Sequence, residues 1–318
     1  MKKFVLSIAF FVAILFGLQA ILLVMFFAMP RSALWIHNCL EKKERIALSL
    51  PSPKIVFTSG SNTLFGLRAL DVENVMGMPS ANIAVHAGLE PDYILYRAKK
   101  TLKPGDTIVL CFEYENLLWD GEYTETRASY ILTDDKAYRD SLSYADKFML
   151  YKNITFFDIL KSIKEQLQEV KEEPVGTAYN STTLNERGDE TYNFDERTIQ
   201  ANAKKVFSPF AIKSLDARGL KEVVNFTAWC QAHNIQAFIS WPSIVYVKEY
   251  DSLEYKTFFS DLVAYFEQRN IKMLGRPNDF ILPQALFYDN QYHLNSTGMT
   301  IRTQKIIQLL REHGYPQR

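Results

Sequence analysis

Apolar residues recur in two patterns along residues 53–318, and each pattern predicts a different element. Short, continuous apolar runs predict buried strands at 54–58, 82–86, 106–112, 235–240 and 271–274. Apolar residues three and four positions apart predict helices at 91–102, 216–233, 253–269 and 296–313. Strands that alternate with helices of this length are typical of βαβ units, in which a parallel sheet carries helices on both faces. The pattern therefore predicts an α/β domain.

The N-terminus holds the longest apolar run. Residues 4–29 contain no Asp, Glu, Lys or Arg and a single Gln19. A helix of about 20 apolar residues crosses the hydrocarbon layer of a membrane, so this run spans it with some tilt. Lys2 and Lys3 precede the run, which predicts a cytoplasmic N-terminus and an extracytoplasmic remainder on a single-pass inner (plasma) membrane protein. The alternative is a cleaved signal peptide, whose apolar core is usually 7–15 residues long and ends at a small-residue site.

The segments between and around these elements divide the chain. We predict an anchor at 1–30, a polar connector at 31–52 and the α/β domain at 53–318. An insertion at about 119–200 interrupts the α/β pattern, with a helix near 157–172 and then a polar stretch that includes Tyr179, Tyr192 and Phe194. A long insertion of this kind is often a lid or a binding loop. A surface loop without a role is the equal alternative, and 173–200 is the part in question.

Composition and charge narrow the functions. The 318 residues include 36 Lys+Arg and 36 Asp+Glu, and this zero balance argues against a nucleic-acid partner, which would need a basic surplus. Cys111 and Cys230 lie in apolar patterns that predict small buried hydrophobes, and no C-x-x-C spacing indicates a zinc site or a disulfide scaffold. No His, Asp and Cys residues show ligand spacing, so we predict neither a metal nor another cofactor.

The first candidate for chemistry follows the first predicted strand. The run 54–58 ends in Ser59-Gly60-Ser61-Asn62, directly before an apparent helix start. Ligands of open α/β sheets bind beyond the carboxyl ends of the strands. Ser61 would lie near a helix N-terminus, where backbone N–H groups stabilise negative charge, as a nucleophile with an oxyanion intermediate requires. The alternative is an ordinary Ser/Gly turn that caps the helix.

The second candidate precedes the last predicted helix. His293 lies in a loop between apolar elements, and Asp289 lies four residues before it. A serine nucleophile needs a base that takes its proton and a third group that orients the base. His293 and Asp289 could fill these two roles. A structural histidine is the alternative.

Together these segments resemble the SGNH/GDSL hydrolase superfamily. The matching features are Ser59-Gly60-Ser61-Asn62 with Phe65-Gly66, Asn82 to Gly88, Gly105-Asp106 with Glu113-Tyr114-Glu115, and Tyr292-His293-Leu294-Asn295. The likeness covers most of residues 52–313 and is closer to membrane-anchored bacterial members encoded with cell-surface polysaccharide machinery. It implies a three-layer, flavodoxin-like domain with a central parallel sheet. It also implies Ser61 as nucleophile, His293 as base and Asp289 as orienting acid.

The resemblance also implies oxyanion donors, and here the chain departs from the pattern. The backbone N–H groups of Ser61 and Gly88 match two of the usual donors. The third is normally an Asn at the end of the third strand, but this strand ends in Glu113-Tyr114-Glu115-Asn116, where Asn116 lies too far along. Asn62 or Asn82 are the substitutes we consider. In addition, Gly60 replaces the usual Asp before the nucleophile, and Asn290 fills the usual position of the acid.

Three further residues are candidates for substrate binding. Glu113 and Glu115 would lie near the carboxyl edge of the sheet, on one strand face, where two close carboxylates raise one pKa. The alternative is ion pairing with Arg68 or Lys99. Trp119 would contribute to an aromatic rim that stacks on sugars, and the margin of the core is its alternative.

These features suggest two functions. The first is a membrane-tethered serine acyltransferase or esterase that acts on O-acyl groups of an exported cell-surface polysaccharide through an acyl-Ser61 intermediate. The resemblance implies a multi-span membrane acyltransferase as the partner that delivers the acyl group. The second is a non-catalytic scaffold of the same fold that binds the polysaccharide or that partner. Neither function requires a cofactor.

Overall fold

The computed structural model describes residues 2–26, 28, 31–167, 178–192 and 204–315. The chain forms two compact units. The first comprises Met1–His37 and Tyr123–Glu173, and the second comprises Asn38–Glu122 and Pro174–Arg318. The division into anchor, connector and domain stays a prediction. Most of the predicted helix at 157–172 is present, but residues 168–177 and Phe194 lie outside the described residues.

The second unit is built on a mixed α/β arrangement with a parallel sheet of five strands. The strands of the chain are β1 (Ile55–Thr58), β2 (Ser80–Asn82), β3 (Thr107–Leu110), β4 (Gln236–Ile239), β5 (Ile244–Val245), β6 (Lys272–Met273) and β7 (Ile281–Leu282). The sheet has the order β2-β1-β3-β4-β6, with every neighbouring pair parallel. β5 and β7 form a separate parallel pair. The predicted central parallel sheet is therefore confirmed.

The helices occupy most of the positions that the apolar spacing predicts. They are α1 (Lys2–Phe26), α2 (Arg31–Ser49), α3 (Ser61–Leu64), α4 (Ala69–Met76), α5 (Pro91–Lys99), α6 (Tyr114–Leu117), α7 (Glu125–Thr133), α8 (Lys136–Ser141), α9 (Tyr144–Lys152), α10 (Phe156–Leu167), α11 (Arg218–Ala232), α12 (Leu253–Glu267) and α13 (Ser296–Glu312). In the second unit α5 packs against α11, and α4 packs against α13 and β2.

Two of the predicted segments differ from the structure by more than a shift of a few residues at their ends. The second strand is Ser80–Asn82 rather than 82–86, because Asn82 Oδ1 accepts the Ala84 N–H at 3.1 Å and so turns the backbone away from the ladder. Within the predicted polar connector, Arg31–Ser49 forms a helix. Its Glu41 and Glu44 both accept hydrogen bonds from Arg97 on α5, a tertiary contact that a polar sequence pattern does not reveal.

The core strands carry buried apolar side chains and one buried ion pair. Ile55, Val56 and Phe57 of β1 are fully buried, as are the corresponding residues of β3. At the amino edge of the sheet, Lys54 Nζ lies 2.8 Å from Asp106 Oδ2, and both side chains are fully buried. This pairing offsets the cost of removing two charges from water. The opposite, carboxyl edge is where the polar turns gather.

One part of the predicted insertion belongs to this unit. We refer to residues 178–192 as the arm. The Leu184–Glu190 bridge folds the arm back on itself, and the Asn82 N–H at the sheet edge donates to Arg187 O at 2.9 Å. Arg187 also forms a bidentate pair with Glu73 of α4, at 2.6 and 2.7 Å. Backbone and side-chain bonds therefore fix the arm against β2 and α4.

The first unit is helical. α7 packs against α8 and α9, and α1 packs against α10. Arg127 of α7 is fully buried, with its guanidinium 4.0 Å from the Tyr123 ring centroid and a hydrogen bond to the Tyr138 hydroxyl. Among the described residues, α1 is the helix that is long and apolar enough to cross a membrane.

Candidate active site

The turn after β1 holds Ser61 at the carboxyl edge of the sheet. Ser59 Oγ donates to Thr63 Oγ1 at 2.7 Å, and the Asn62 N–H donates to Glu113 Oε1 at 2.9 Å. Gly60 has no room for a side chain, because a Cβ there would lie 2.5 Å from Ala87 Cα and 2.6 Å from Glu113 Oε1. The turn is therefore tightly packed, and Ser61 follows it as the first residue of α3.

His293 and Asp289 form a hydrogen-bonded pair. His293 Nδ1 lies 2.7 Å from Asp289 Oδ1, and the imidazole is 4% exposed. A short turn brings them together: Phe287 bridges Leu294, and Asn290 Oδ1 accepts the N–H groups of Tyr292 and His293. An acid four residues before the histidine can therefore reach the ring, although Asn290 occupies the usual position.

The loop that carries His293 is bonded to the segment that carries Ser61. Leu294 N–H donates to Phe65 O at 3.1 Å, and Phe65 N–H donates to Ser61 O at 2.9 Å. The rings of Phe65 and His293 lie 4.5 Å apart. Two segments separated by more than 220 residues of sequence are thus held side by side.

Ser61 and His293 line one cleft of about 370 Å³. The other lining residues are Ala87, Glu113, Glu115, Asn116, Phe207, Asn290, Gln291 and Tyr292. The Ser61 hydroxyl makes no hydrogen bond to any described residue, and so none to His293. In structures without substrate, such catalytic contacts are often long and tighten only when substrate binds.

Tyr179 of the arm is a site residue that the sequence did not identify. Its hydroxyl donates to Asp289 Oδ2 at 2.9 Å and lies 3.1 Å from His293 Nδ1. Its ring packs edge-on against Phe65, with centroids 5.0 Å apart. Its backbone has a φ of 65°, which non-glycine residues rarely adopt, so the surrounding contacts hold it in place. The only signal in the sequence was an aromatic residue in a polar insertion.

These contacts determine the charge of Asp289. Burial alone would raise the pKa of its carboxyl, but the hydrogen bonds with His293 and Tyr179 and the positive charge of Lys205 outweigh burial and lower it. The carboxyl is therefore ionised at neutral pH. An ionised carboxylate on Nδ1 fixes the tautomer of the imidazole and stabilises the imidazolium form.

Glu113 and Glu115 both line the cleft, but on different elements. Because β3 ends at Leu110, Glu113 precedes α6 and Glu115 lies within it, so the expected common strand face is wrong. Glu115 accepts hydrogen bonds from the Tyr292 hydroxyl at 2.5 Å and from Gln291 at 3.3 Å. Burial, together with the nearby Glu113, raises the pKa of Glu115.

The amide side chains considered as oxyanion donors are engaged within the fold. Asn62 Nδ2 donates to Ser59 Oγ and Cys111 O, and Asn82 Nδ2 donates to Thr63 O and Leu67 O. Neither side chain lines the cleft. In this conformation, neither amide has a proton left for an oxyanion.

Two other candidate oxyanion donors, Gly88 and Asn116, also donate their hydrogen bonds within the fold. The Gly88 N–H donates to His86 Nδ1 at 3.0 Å. Burial, together with the nearby His293, lowers the pKa of His86 to about 4. His86 is therefore neutral at pH 7, and its Nδ1 can accept this hydrogen bond. Asn116 lines the cleft, contrary to expectation, but its Nδ2 donates to Ala87 O and to Glu90.

Trp119 lies away from the cleft. It is 6% exposed, donates to Glu122 O and has the Arg218 guanidinium 5.0 Å from its ring centroid. This environment fits the alternative given above, in which Trp119 belongs to the margin of the core and not to a sugar-binding rim. Cys39, Cys111 and Cys230 are all buried, as the apolar surroundings of the last two predict. Among the described residues, no three His, Cys, Asp or Glu side chains form a group that could hold a metal ion.

No protein-family model and no curated protein matches the sequence. Among solved structures, the crystal structure of protein YxiM from Bacillus subtilis is similar, with a TM-score of 0.33 and 10% sequence identity. The similarity covers 83% of this chain and 57% of YxiM, so the chain spans little more than half the length of that protein. The likeness is distant, and the chemistry of the cleft has to be argued from its own residues.

Proposed function

We propose that the protein is an SGNH-type serine acyltransferase or esterase, with Ser61 as nucleophile, His293 as base and Asp289 as orienting acid. One observation carries the proposal: Ser61 and His293 line the same cleft, and His293 Nδ1 lies 2.7 Å from Asp289. The strand order β2-β1-β3-β4-β6 supports the flavodoxin-like, three-layer fold that the resemblance implies, because it is the order of that fold.

The reaction proceeds in two acyl transfers. His293 Nε2 takes the Ser61 proton as Oγ attacks the carbonyl carbon of the acyl donor, and the imidazolium then gives that proton to the leaving oxygen. In the second transfer, His293 takes the proton of a sugar hydroxyl as the hydroxyl oxygen attacks the carbonyl carbon of acyl-Ser61. The imidazolium then gives that proton to Ser61 Oγ as the bond between Oγ and the acyl group breaks. Water takes the place of the sugar in the esterase reaction. Ser61 Oγ must first turn toward His293, since the two are not bonded before substrate binds.

The charge of the cleft favours a neutral ligand. Among the described residues that line the cleft, Glu113 and Glu115 are the acidic side chains, and none is Lys or Arg. An anionic ligand would lack a counter-ion there and would be repelled by the carboxylates. A neutral acyl ester and the hydroxyls of a neutral glycan fit this charge, and carboxylates accept hydrogen bonds from hydroxyls. This supports O-acyl groups of an exported cell-surface polysaccharide as the substrate.

The membrane location is part of the same proposal. α1 has the length and composition of a membrane span, and Lys2 and Lys3 at its start favour a cytoplasmic N-terminus. The residues that follow the span would then lie on the extracytoplasmic side. A multi-span membrane acyltransferase is the partner that would bring an acyl group to this side.

A serine-directed fluorophosphonate probe tests the chemistry. We expect the full-length protein to be labelled, and Ser61→Ala and His293→Ala to lose labelling while remaining folded and membrane-bound. Ser214→Ala, at an exposed serine of the same unit, is the matched control and should be labelled like the wild type. In cells, the two site variants should lose polymer acylation. Undiminished acylation in both would contradict the proposed reaction.

A non-catalytic scaffold is the second candidate, and one observation favours it. The side-chain amides of Asn62, Asn82 and Asn116 all donate within the fold, so an oxyanion would depend on backbone donors. A scaffold would bind the polysaccharide or the membrane acyltransferase without reacting with the probe. Absence of labelling across probes and pH values, with retained polymer binding, would support it over the enzyme.

A further inference from the structure

The α10 helix exposes an apolar stripe. Phe156, Leu160 and Leu167 follow the spacing of one helix face, and Phe157 beside them is 79% exposed. Ile159 and Ser162 lie on the buried side of the helix. A contiguous exposed apolar surface of this kind usually marks contact with a partner or a membrane.

The preceding helix also exposes an apolar face. On α9, Tyr144, Phe148 and Tyr151 are all exposed, and their spacing of four and three residues places them on one face. Tyrosine is enriched where a protein meets the boundary between water and lipid, because its ring is apolar and its hydroxyl polar. The two helices thus expose aromatic and aliphatic groups in succession.

Two sets of hydrogen bonds join the segment around α10 to the C-terminal part of α1, each with one partner just outside the helix. Gln19 Nε2 donates to Ile154 O at 2.9 Å. Further along, Ala28 N–H donates to Ser162 Oγ at 2.9 Å, and that hydroxyl donates to Ala28 O at 3.1 Å. Along a helix, Gln19 lies about 22 Å from Phe4, within a hydrocarbon layer of about 30 Å. A membrane that surrounds α1 therefore also reaches the start of α10.

The same bonds satisfy the polar groups of the apolar run. A side-chain amide is strongly unfavourable in hydrocarbon when it has no hydrogen-bond partner. Gln19 is the single amide side chain between residues 4 and 29, and Ile154 O accepts from it. In water no such partner would be needed. The contact is what a lipid environment at this depth requires.

Charge on α10 also matches a membrane surface. α10 carries Lys161 and Lys164, both exposed and on either side of Ser162 in sequence, together with the half-buried acids Asp158 and Glu165. Asp158 accepts hydrogen bonds from the Thr155 N–H and hydroxyl at the start of the helix. Amphipathic helices that lie in the headgroup region pair an apolar face with lysines that contact anionic lipids.

We propose that α9 and α10 lie in the outer leaflet of the bilayer that α1 spans, with Phe156, Phe157 and Leu160 against the acyl chains and with Lys161 and Lys164, near the Ser162 level, at the anionic headgroups. The inference rests on the proposed membrane location and not on the chemistry of the cleft. Because α10 descends beside α1 from Ser162 to Ile154, its first turn lies deepest. The bilayer thereby orients the first unit as well as anchoring it.

Fluorescence quenching in proteoliposomes tests this. Single cysteines are introduced at Leu15, Phe157, Leu160 and Lys161 of the full chain and labelled with an environment-sensitive fluorophore; the unsubstituted chain, whose native cysteines are buried, gives the background. Vesicles contain anionic lipid and lipid brominated on its acyl chains. We expect strong quenching at Leu15→Cys and at Phe157→Cys and Leu160→Cys. Lys161→Cys, the neighbouring control, should be quenched severalfold less.

The possible outcomes distinguish the proposed membrane span of α1 from the proposed membrane contact of α9 and α10. Quenching at Leu15→Cys without quenching at Phe157→Cys and Leu160→Cys would overturn the inference and leave the membrane span intact. A blue-shifted but unquenched label at Leu160→Cys would mean that protein covers the stripe, which also overturns it. If Leu15→Cys is unquenched, the membrane location fails together with the inference. Probe labelling of Ser61 is measured separately and depends on neither result.

Discussion

The Tyr179 hydroxyl donates a hydrogen bond to Asp289 Oδ2 across 110 residues of sequence, at 2.9 Å. Asp289 uses its other oxygen for His293, so the arm steadies the carboxylate that orients the proposed base. Tyr179→Phe removes one hydrogen bond worth about 1–1.5 kcal/mol, and we expect the rate of fluorophosphonate labelling to fall roughly tenfold. The labelling rate of purified, folded variants measures this.

A matched tyrosine provides the control for that experiment. Tyr246 also donates to a carboxylate, Asp251, but at an exposed site that does not line the cleft. Tyr246→Phe should therefore label at the wild-type rate. Equal rates for Tyr179→Phe and Tyr246→Phe would show that the arm has no effect on the base.

Asp289→Asn tests the orienting acid. An amide cannot stabilise the imidazolium and favours the wrong tautomer of His293, so the labelling rate should fall by about 10³–10⁴. Asp279→Asn is the control, since that carboxylate accepts from the Arg276 N–H, pairs with Lys305 and does not line the cleft. Retention of most of the activity in Asp289→Asn would assign the orienting role to another group.

The lowered pKa of Asp289 gives a dependence of stability on pH. Because the folded pKa lies below the unfolded value near 3.8, the ionised carboxylate stabilises the fold above that pH, and this contribution is lost as the pH falls through the folded value. Asp289→Asn should thus be less stable than the wild type at pH 7, with the difference narrowing only below about pH 4. Thermal unfolding at a series of pH values measures it. A constant difference down to the lowest pH would contradict the argument.

Lys43 predicts the opposite kind of dependence. It is fully buried and donates to Ala84 O at 2.6 Å, and burial lowers its pKa to about 8. Between about pH 8 and 10.5 the unfolded chain binds more protons at this site than the folded chain. The free energy of unfolding therefore increases as the pH rises. Relative to Lys43→Met, the wild type should become more stable over that interval. Urea unfolding at pH 7.5 and 10 compares the two, and parallel changes would refute the assignment.

Gly60→Ala tests the packing of the turn before Ser61. The new Cβ would meet Ala87 Cα and Glu113 Oε1 well inside contact distance, which we expect to cost about 1–3 kcal/mol and to displace Ser61. Both the melting temperature and the labelling rate should drop. Gly17→Ala is the control, because nothing lies within 4 Å of the added methyl group. A fully reactive, fully stable Gly60→Ala would show that the turn can move aside.

Local patterns revealed the sheet because its strands are short apolar runs with clear ends. The ends of β1, β3 and β4 lie within two residues of their predicted bounds. β2 ends earlier than predicted, because the Asn82 side chain accepts the Ala84 N–H. A run of apolar residues gives no sign of such a bond. The position of a strand can thus be read from the local sequence, whereas its exact end depends on hydrogen bonds between side chains and the backbone.

The site was predictable only where its residues are close in sequence or follow a strand. His293 and Asp289 lie four residues apart, and Ser61 follows β1, so a pattern could suggest them. Tyr179 could not be found this way, because its contacts arise only when the arm docks on a distant loop. The bonds that occupy Asn62 and Asn82 are likewise tertiary and are invisible in a sequence.

The arm also covers part of an open edge of the sheet. β2 is an edge strand, and an open edge offers N–H and C=O groups on which another chain can add a strand. The Arg187 carbonyl takes the Asn82 N–H of this edge, while β6 at the other edge has only two residues and carries Lys272. Changes that release the arm would therefore make the protein prone to edge-to-edge aggregation as well as altering the cleft. Loss of activity and loss of solubility should accompany each other in such variants.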